Sequence, residues 1–100
     1  MKESNLYIVC YDFPSGKSGD RRRAKFIKYL KGFGVRVQKS VFEVRKRKDK
    51  EWEKLHEKIQ SLLIPDEDSV RFYPLRKDQE KDVLIYGEGE IYSIDEDFYF

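Results

Sequence analysis

A chain of 100 residues, 39% apolar and 40% charged, is long enough for one compact domain and too short for two. So many charges favour disorder, yet 7 Tyr and 7 Phe supply the bulky apolar area that disordered chains lack, and the chain is expected to fold. Its net charge of +2 excludes a uniformly basic or acidic molecule, so charge alone names no partner.

The near-neutral total hides a polarised chain. Residues 1–14 carry −1, residues 15–48 carry +11, and residues 49–100 carry −8. A stretch of that basic density suits a surface that meets phosphates or an acidic protein; a helix face balanced by the acidic half after folding has the same composition. The single cysteine, Cys10, excludes an internal disulfide, and no Cys/His grouping has zinc-site spacing. The longest apolar run, Leu6 to Tyr11, is far short of a membrane span, and Met1 to Asn5 has no signal-peptide anatomy. A cytoplasmic protein without a membrane partner is expected.

Leu6-Tyr-Ile-Val-Cys-Tyr11 reads as a buried strand that runs into the Pro- and Gly-containing loop Asp12 to Gly16. From Asp20, which can cap a helix, Phe26, Ile27, Leu30 and Phe33 recur at helical spacing until Gly32 and Gly34 stop it. Arg21, Lys25 and Lys28 form an exposed basic stripe on its other side. Between Val35 and Val44 the apolar alternation slips near Gln38-Lys39-Ser40, which predicts two short strands around a tight turn. Arg45-Lys46-Arg47-Lys48 reads as a basic loop. Asp49 then caps a second helix with the stripe Trp52, Leu55, Ile59, Leu62 and Leu63, ended by Pro65. Ser69 to Tyr73 reads as a fourth strand stopped by Pro74, and Val83 to Tyr86 as a fifth stopped by Gly87 and Gly89.

The order β-α-β-β-α-β-β predicts an α+β fold, ferredoxin-like βαββαβ with an additional C-terminal strand. Such a sheet carries both helices on one face and leaves the other bare, so a homodimer packed through the sheet faces is expected. Residues 1–87 form the domain. Residues 88–100, with Ile91-Tyr92-Ser93-Ile94 and Phe98-Tyr99-Phe100 around Asp95-Glu96-Asp97, read as a docking strand or as a frayed tail.

The catalytic inventory is thin: there is no P-loop, no GxGxxG and no nucleophile elbow. The single histidine, His56, lies one turn after Trp52 with nothing near it to activate, so it reads as structural or solvated. Asp12 differs. It ends the first strand before a helix that opens with Arg21-Arg22-Arg23, and a carboxylate among cations is the minimal kit for Mg²⁺ and a phosphate. The same position suits an ordinary turn residue. One carboxylate is half a metal site, which a twofold dimer with two Asp12 side chains completes.

Tyr11-Asp12, the arginine cluster, Gly34-Val-Arg-Val-Gln-Lys-Ser-Val-Phe-Glu43 and Asp68-Ser-Val-Arg-Phe-Tyr-Pro74, in this order and spacing over roughly residues 5–86, resemble the CRISPR-associated protein 2 family. The resemblance implies a ferredoxin-like homodimer with the two strand-end aspartates facing each other. It implies a Mg²⁺-dependent endonuclease on RNA or DNA that is also the central dimer of the spacer-acquisition complex, clasped by CRISPR-associated protein 1 integrase subunits on duplex DNA. Asp12 would be the metal ligand, and Tyr11, Arg22 or Arg23, Arg36, Ser40 and Phe42 fall on motif positions near the cleft or the interface. The loop Pro14 to Gly19 is longer than the family's usual link, which blurs which arginine faces the cleft, and the segment from Glu88 matches no family pattern.

Each of these residues also has a plainer reading. Ser40 can bond its own backbone, Phe42 can be core packing, and Arg36 can pair with an acidic group such as Glu43. Arg45, Lys46, Arg47 and Lys48, with the stripe Arg21, Lys25 and Lys28, either meet nucleic-acid phosphates or are solvated. Three functions remain: a metal-dependent phosphodiesterase, a non-catalytic DNA-binding adaptor dimer, and a toxin-type ribonuclease on the same scaffold.

Overall fold

The computed structural model describes residues 4–87. The expected docking strand over 88–100 lies outside the described residues. In chain order the elements are β1 (Ser4–Asp12), α1 (Lys17–Lys31), β2 (Gly34–Gln38), β3 (Val41–Arg45), α2 (Asp49–Leu62), β4 (Ser69–Arg76) and a 3₁₀ turn (Lys77–Asp82). The four strands form one antiparallel sheet in the order β2-β3-β1-β4. This is the expected α+β, ferredoxin-like arrangement.

Alternation along β1 decides which residues reach the helices. Val9 and Tyr11 point into the core, with Phe13 beyond the strand end, and they join Phe42 and Val44 from β3, Phe26 and Leu30 from α1, and Leu55 and Ile59 from α2. Tyr11, Phe13 and Phe26 stack around one another with ring centroids 5.0–6.2 Å apart. A second aromatic group, Tyr7, Trp52, His56 and Phe72, seats α2 on β1 and β4. His56 is half-buried there, and the loss of water around it pushes its pKa down, which fits a packing residue.

Three expectations are corrected. The first helix begins at Lys17, three residues before Asp20, because Gly16 at φ 111° turns the chain into the helix and its carbonyl accepts the Asp20 N–H at 2.8 Å. β4 runs through Pro74 to Arg76, since an edge strand tolerates a proline with no ladder bond to give on its open side. The fifth strand over Val83 to Tyr86 is not formed in this chain. Instead of making a hairpin along β4, the 3₁₀ turn crosses the sheet's bare face, where Glu80 meets Arg45 of β3. The apolar segment beyond it is left without a ladder, with Leu84 75% and Tyr86 85% exposed.

Phe26 is fully buried at the centre of the larger aromatic group. Phe26→Ala is expected to lower the unfolding free energy by about 3–5 kcal/mol in denaturant titration, because the helix cannot collapse into the space left.

Candidate active site

Asp12 ends β1 on the face away from the helices, because Tyr11 before it points into the core. The carboxylate is exposed and has no hydrogen bond or ion pair among the described residues. Across the β1/β4 pairing Asp12 stands opposite Ser69, and Cys10 stands opposite Arg71. On the other side the Tyr11 N–H donates to the Ser40 carbonyl at 3.2 Å, and its hydroxyl donates to the Lys39 carbonyl at 3.0 Å. Tyr11 therefore fastens the β2–β3 turn, through the Lys39 and Ser40 carbonyls, to the strand end. Its ring belongs to the core and its role is positioning.

The arginines opening α1 separate by burial. Arg22 is buried, with its Nε 2.7 Å and its Nη2 2.9 Å from the two Asp68 oxygens, and it also donates to Glu67 and Ser18. The hydrogen bond to Asp68 raises the Arg22 pKa, and the same bond, with the Ile64 N–H donating to the carboxylate, holds Asp68 below the usual carboxylate range. Arg22 is committed to a fork that ties α1 to the start of β4. Arg23 is half-exposed beside the loop after Asp12. Its Nη1 lies 2.9 Å from Asp20 and its Nη2 lies 3.4 Å from the Phe13 carbonyl. Between the two arginines, Arg23 faces the Asp12 loop. That loop also needs Gly19, because a Cβ there would overlap the Pro14 carbonyl oxygen.

The remaining motif positions scatter. Phe42 is fully buried in the core and does not join Asp12, because its place in the alternation of β3 faces the helices. Arg36 is exposed on the edge strand β2, opposite Phe42, and has no ion pair with Glu43. Arg45 is not a loop residue. It ends β3, is buried, and forks onto Glu80 at 2.8 and 3.3 Å, so it is withdrawn from any nucleic-acid surface. Lys46 pairs with Asp49 at 3.2 Å, whereas Arg47 and Lys48 are exposed, as are Arg21, Lys25 and Lys28 on α1.

Sequence reasoning passed over Ser69, Arg71 and Tyr73. Val70 and Phe72 pack on the core, so these three share the face of Asp12. The signal was available in the alternation of Ser69 to Tyr73. Which strand they would flank was not. Glu43 lies on the same face, and burial raises its pKa, against the opposing pull of Arg45.

An exposed strand-end carboxylate thus stands near hydroxyl and guanidinium groups on the bare face of a ferredoxin-like sheet. A family model described as CRISPR associated protein Cas2 matches residues 5–83. A Synechocystis protein named CRISPR-associated endoribonuclease Cas2 3 is 42% identical over 83 residues, covering 83% of this chain and 85% of its own length. The crystal structure of Streptococcus pyogenes Cas2 superposes with a TM-score of 0.71 at 29% identity, covering 82% of this chain and 99% of that one. A chain of a partial Cas6-RT-Cas1–Cas2 complex superposes with a TM-score of 0.66 at 33% identity, covering 81% and 89%. The chain belongs to the CRISPR-associated protein Cas2 family. Among the described residues, no helix is long and apolar enough to cross a membrane.

The Arg22–Asp68 fork gives a pH test. Because the folded state holds the Asp68 pKa below the unfolded value of about 3.9, its contribution is complete above that pH and is lost as pH falls through the folded value. Asp68→Asn is expected to melt well below the wild type at pH 7, and the gap should narrow as pH drops below about 4. A gap of constant size from pH 7 to pH 3 would contradict this.

Proposed function

We propose that the protein is a Mg²⁺-dependent phosphodiesterase of RNA or DNA that works as a homodimer, and that the same dimer bridges CRISPR-associated protein 1 integrase subunits on duplex DNA during spacer acquisition. The observation that carries the reading is Asp12, an exposed carboxylate without a protein partner among the described residues, fixed at a strand end on the bare sheet face. Hard carboxylate oxygens suit Mg²⁺, which keeps several waters and needs few protein ligands. No group of three metal-ligating side chains occurs among the described residues, so one chain fits as half of a site, with Asp12 from each of two chains completing it. A bound Mg²⁺ would supply water activation and charge at the phosphate.

The chain's own groups do the rest. Tyr11 and Gly19 hold the strand end and its loop, and Arg23 sets a positive charge beside them. In hydrolysis the water oxygen bonds to phosphorus, the bond to the leaving sugar oxygen breaks, and the water's protons pass to that oxygen and to solvent. The exposed Tyr73, Leu84, Ile85 and Tyr86, with the open edge of β4, support the dimer: an unladdered apolar segment and an unpaired edge are complementary between two copies. The adaptor reading draws on a different observation. Arg21, Lys25 and Lys28 lie exposed on the helix layer, away from Asp12, where they fit a duplex backbone without contributing to cleavage.

Asp12→Asn should lower Mg²⁺-dependent cleavage of single-stranded RNA or duplex DNA by at least about 100-fold while the fold persists. Equal cleavage by mutant and wild type would leave the adaptor role alone. Ile85→Glu is expected to shift sedimentation toward the monomer, since it places a charge where the second copy would pack. An unchanged profile would return the segment to solvent.

A further inference from the structure

Four of the eight arginines of the chain are engaged by carboxylates among the described residues. Arg22 is held by Asp68 and Glu67, Arg23 by Asp20, Arg45 by Glu80 and Arg76 by Asp78. Arg71 is different. It is exposed on the face of Asp12, and its guanidinium makes one hydrogen bond among the described residues, from Nη1 to the Tyr73 hydroxyl at 3.0 Å, a neutral partner two residues along the same strand. The rest of its donor fork has no protein partner among the described residues.

The register fixes where that fork can act. Arg71 stands opposite Cys10, and Asp12 is two positions further along β1 on the same face. Such diagonal neighbours are separated by about 7–8 Å, within reach of a long side chain. Arg71 and Asp12 make no ion pair among the described residues, so the guanidinium remains available to an anion on the face that the two residues share. A phosphodiester, with two non-bridging oxygens, is the group that a guanidinium fork grips through parallel hydrogen bonds.

We infer that Arg71 is a substrate-binding residue that grips the non-bridging oxygens of the scissile phosphodiester from β4, opposite the carboxylate on β1. This rests on the phosphodiesterase reading for the word scissile, though not for the phosphate contact itself. The Tyr73 hydroxyl parks the guanidinium on the open face when no nucleic acid is bound. Exchange of that neutral bond for a charged one costs little, because both side chains are exposed.

Two measurements test it on the full-length protein. In Mg²⁺-dependent cleavage, Arg71→Gln should lower kcat/KM by about 100-fold, and Arg71→Lys should recover only part of that loss because it restores charge without the fork. In chelator, binding of a single-stranded RNA to the Asp12→Asn protein should lose about 0.7 from its salt slope when Arg71→Gln is added. Arg76→Gln, at the far end of the same strand, is the control and should leave the slope unchanged. An unchanged slope in Arg71→Gln, or an equal loss in Arg76→Gln, would overturn the inference. If Asp12→Asn itself cleaves at the wild-type rate, the phosphodiesterase reading falls, and the salt slope still decides whether Arg71 holds phosphate.

Discussion

Arg22 reaches from the first turns of α1 across to Asp68, 46 residues later, and both side chains are shut away from water. Removing two charges from solvent is costly, and the arrangement is tolerable only because nearly every polar atom is met. The guanidinium donates to both Asp68 oxygens, to Glu67 and to Ser18, and the carboxylate also receives the Ile64 N–H. This geometry admits little sliding. The next residue after Asp68 is Ser69, which pairs with Asp12, so the buried fork sets how β4 meets the Asp12 end of β1. A site on the bare face is thus positioned by a bond made on the covered one.

The two faces of β1 explain how such a small domain supports both a core and a site. Tyr11 and Asp12 are adjacent in sequence and opposite in role. One ring completes the aromatic core and fastens the β2–β3 turn, while the next carboxylate faces outward with nothing among the described residues to neutralise it. Moving the strand by one residue would exchange them, burying the carboxylate and exposing the ring. Gly19 restricts the loop that follows, since any side chain there would strike Pro14.

Local patterns make much of the fold legible in the sequence itself. The slip in alternation near Gln38-Lys39-Ser40 marks the hairpin that the structure places at Lys39 and Ser40, and the stripes through Phe26 and Leu30 and through Leu55 and Ile59 mark the buried sides of both helices. The strand-end position of Asp12 is equally readable, because a run of apolar residues stops there. Pairings across 35 or 46 residues are not. Neither the burial of Arg45 on Glu80 nor that of Arg22 on Asp68 leaves a mark in periodicity, so two committed cations look like free ones. The same limit hides Arg71, whose parity is plain but whose neighbour depends on strand order. Val83 to Tyr86 has the composition of a strand, yet composition says nothing about whether one chain can supply its partner.

Charge density therefore overstates the surface that meets an anion. Within the stretch of residues 15–48, Arg22 and Arg45 are buried in forks, Lys46 pairs with Asp49 and Arg23 with Asp20. The acidic half neutralises selectively: Glu67, Asp68 and Glu80 take the cations that hold elements together and leave the α1 stripe to solvent. One acidic side chain, Glu43, stays half-buried on the bare face, where burial favours its protonated form more than Arg45 favours its charge. The electrostatics of the exposed faces thus come from what remains after the structural pairs are made. On the face of Asp12 the remainder is small and ordered: one unneutralised carboxylate on β1, and one arginine without a carboxylate partner on the strand beside it.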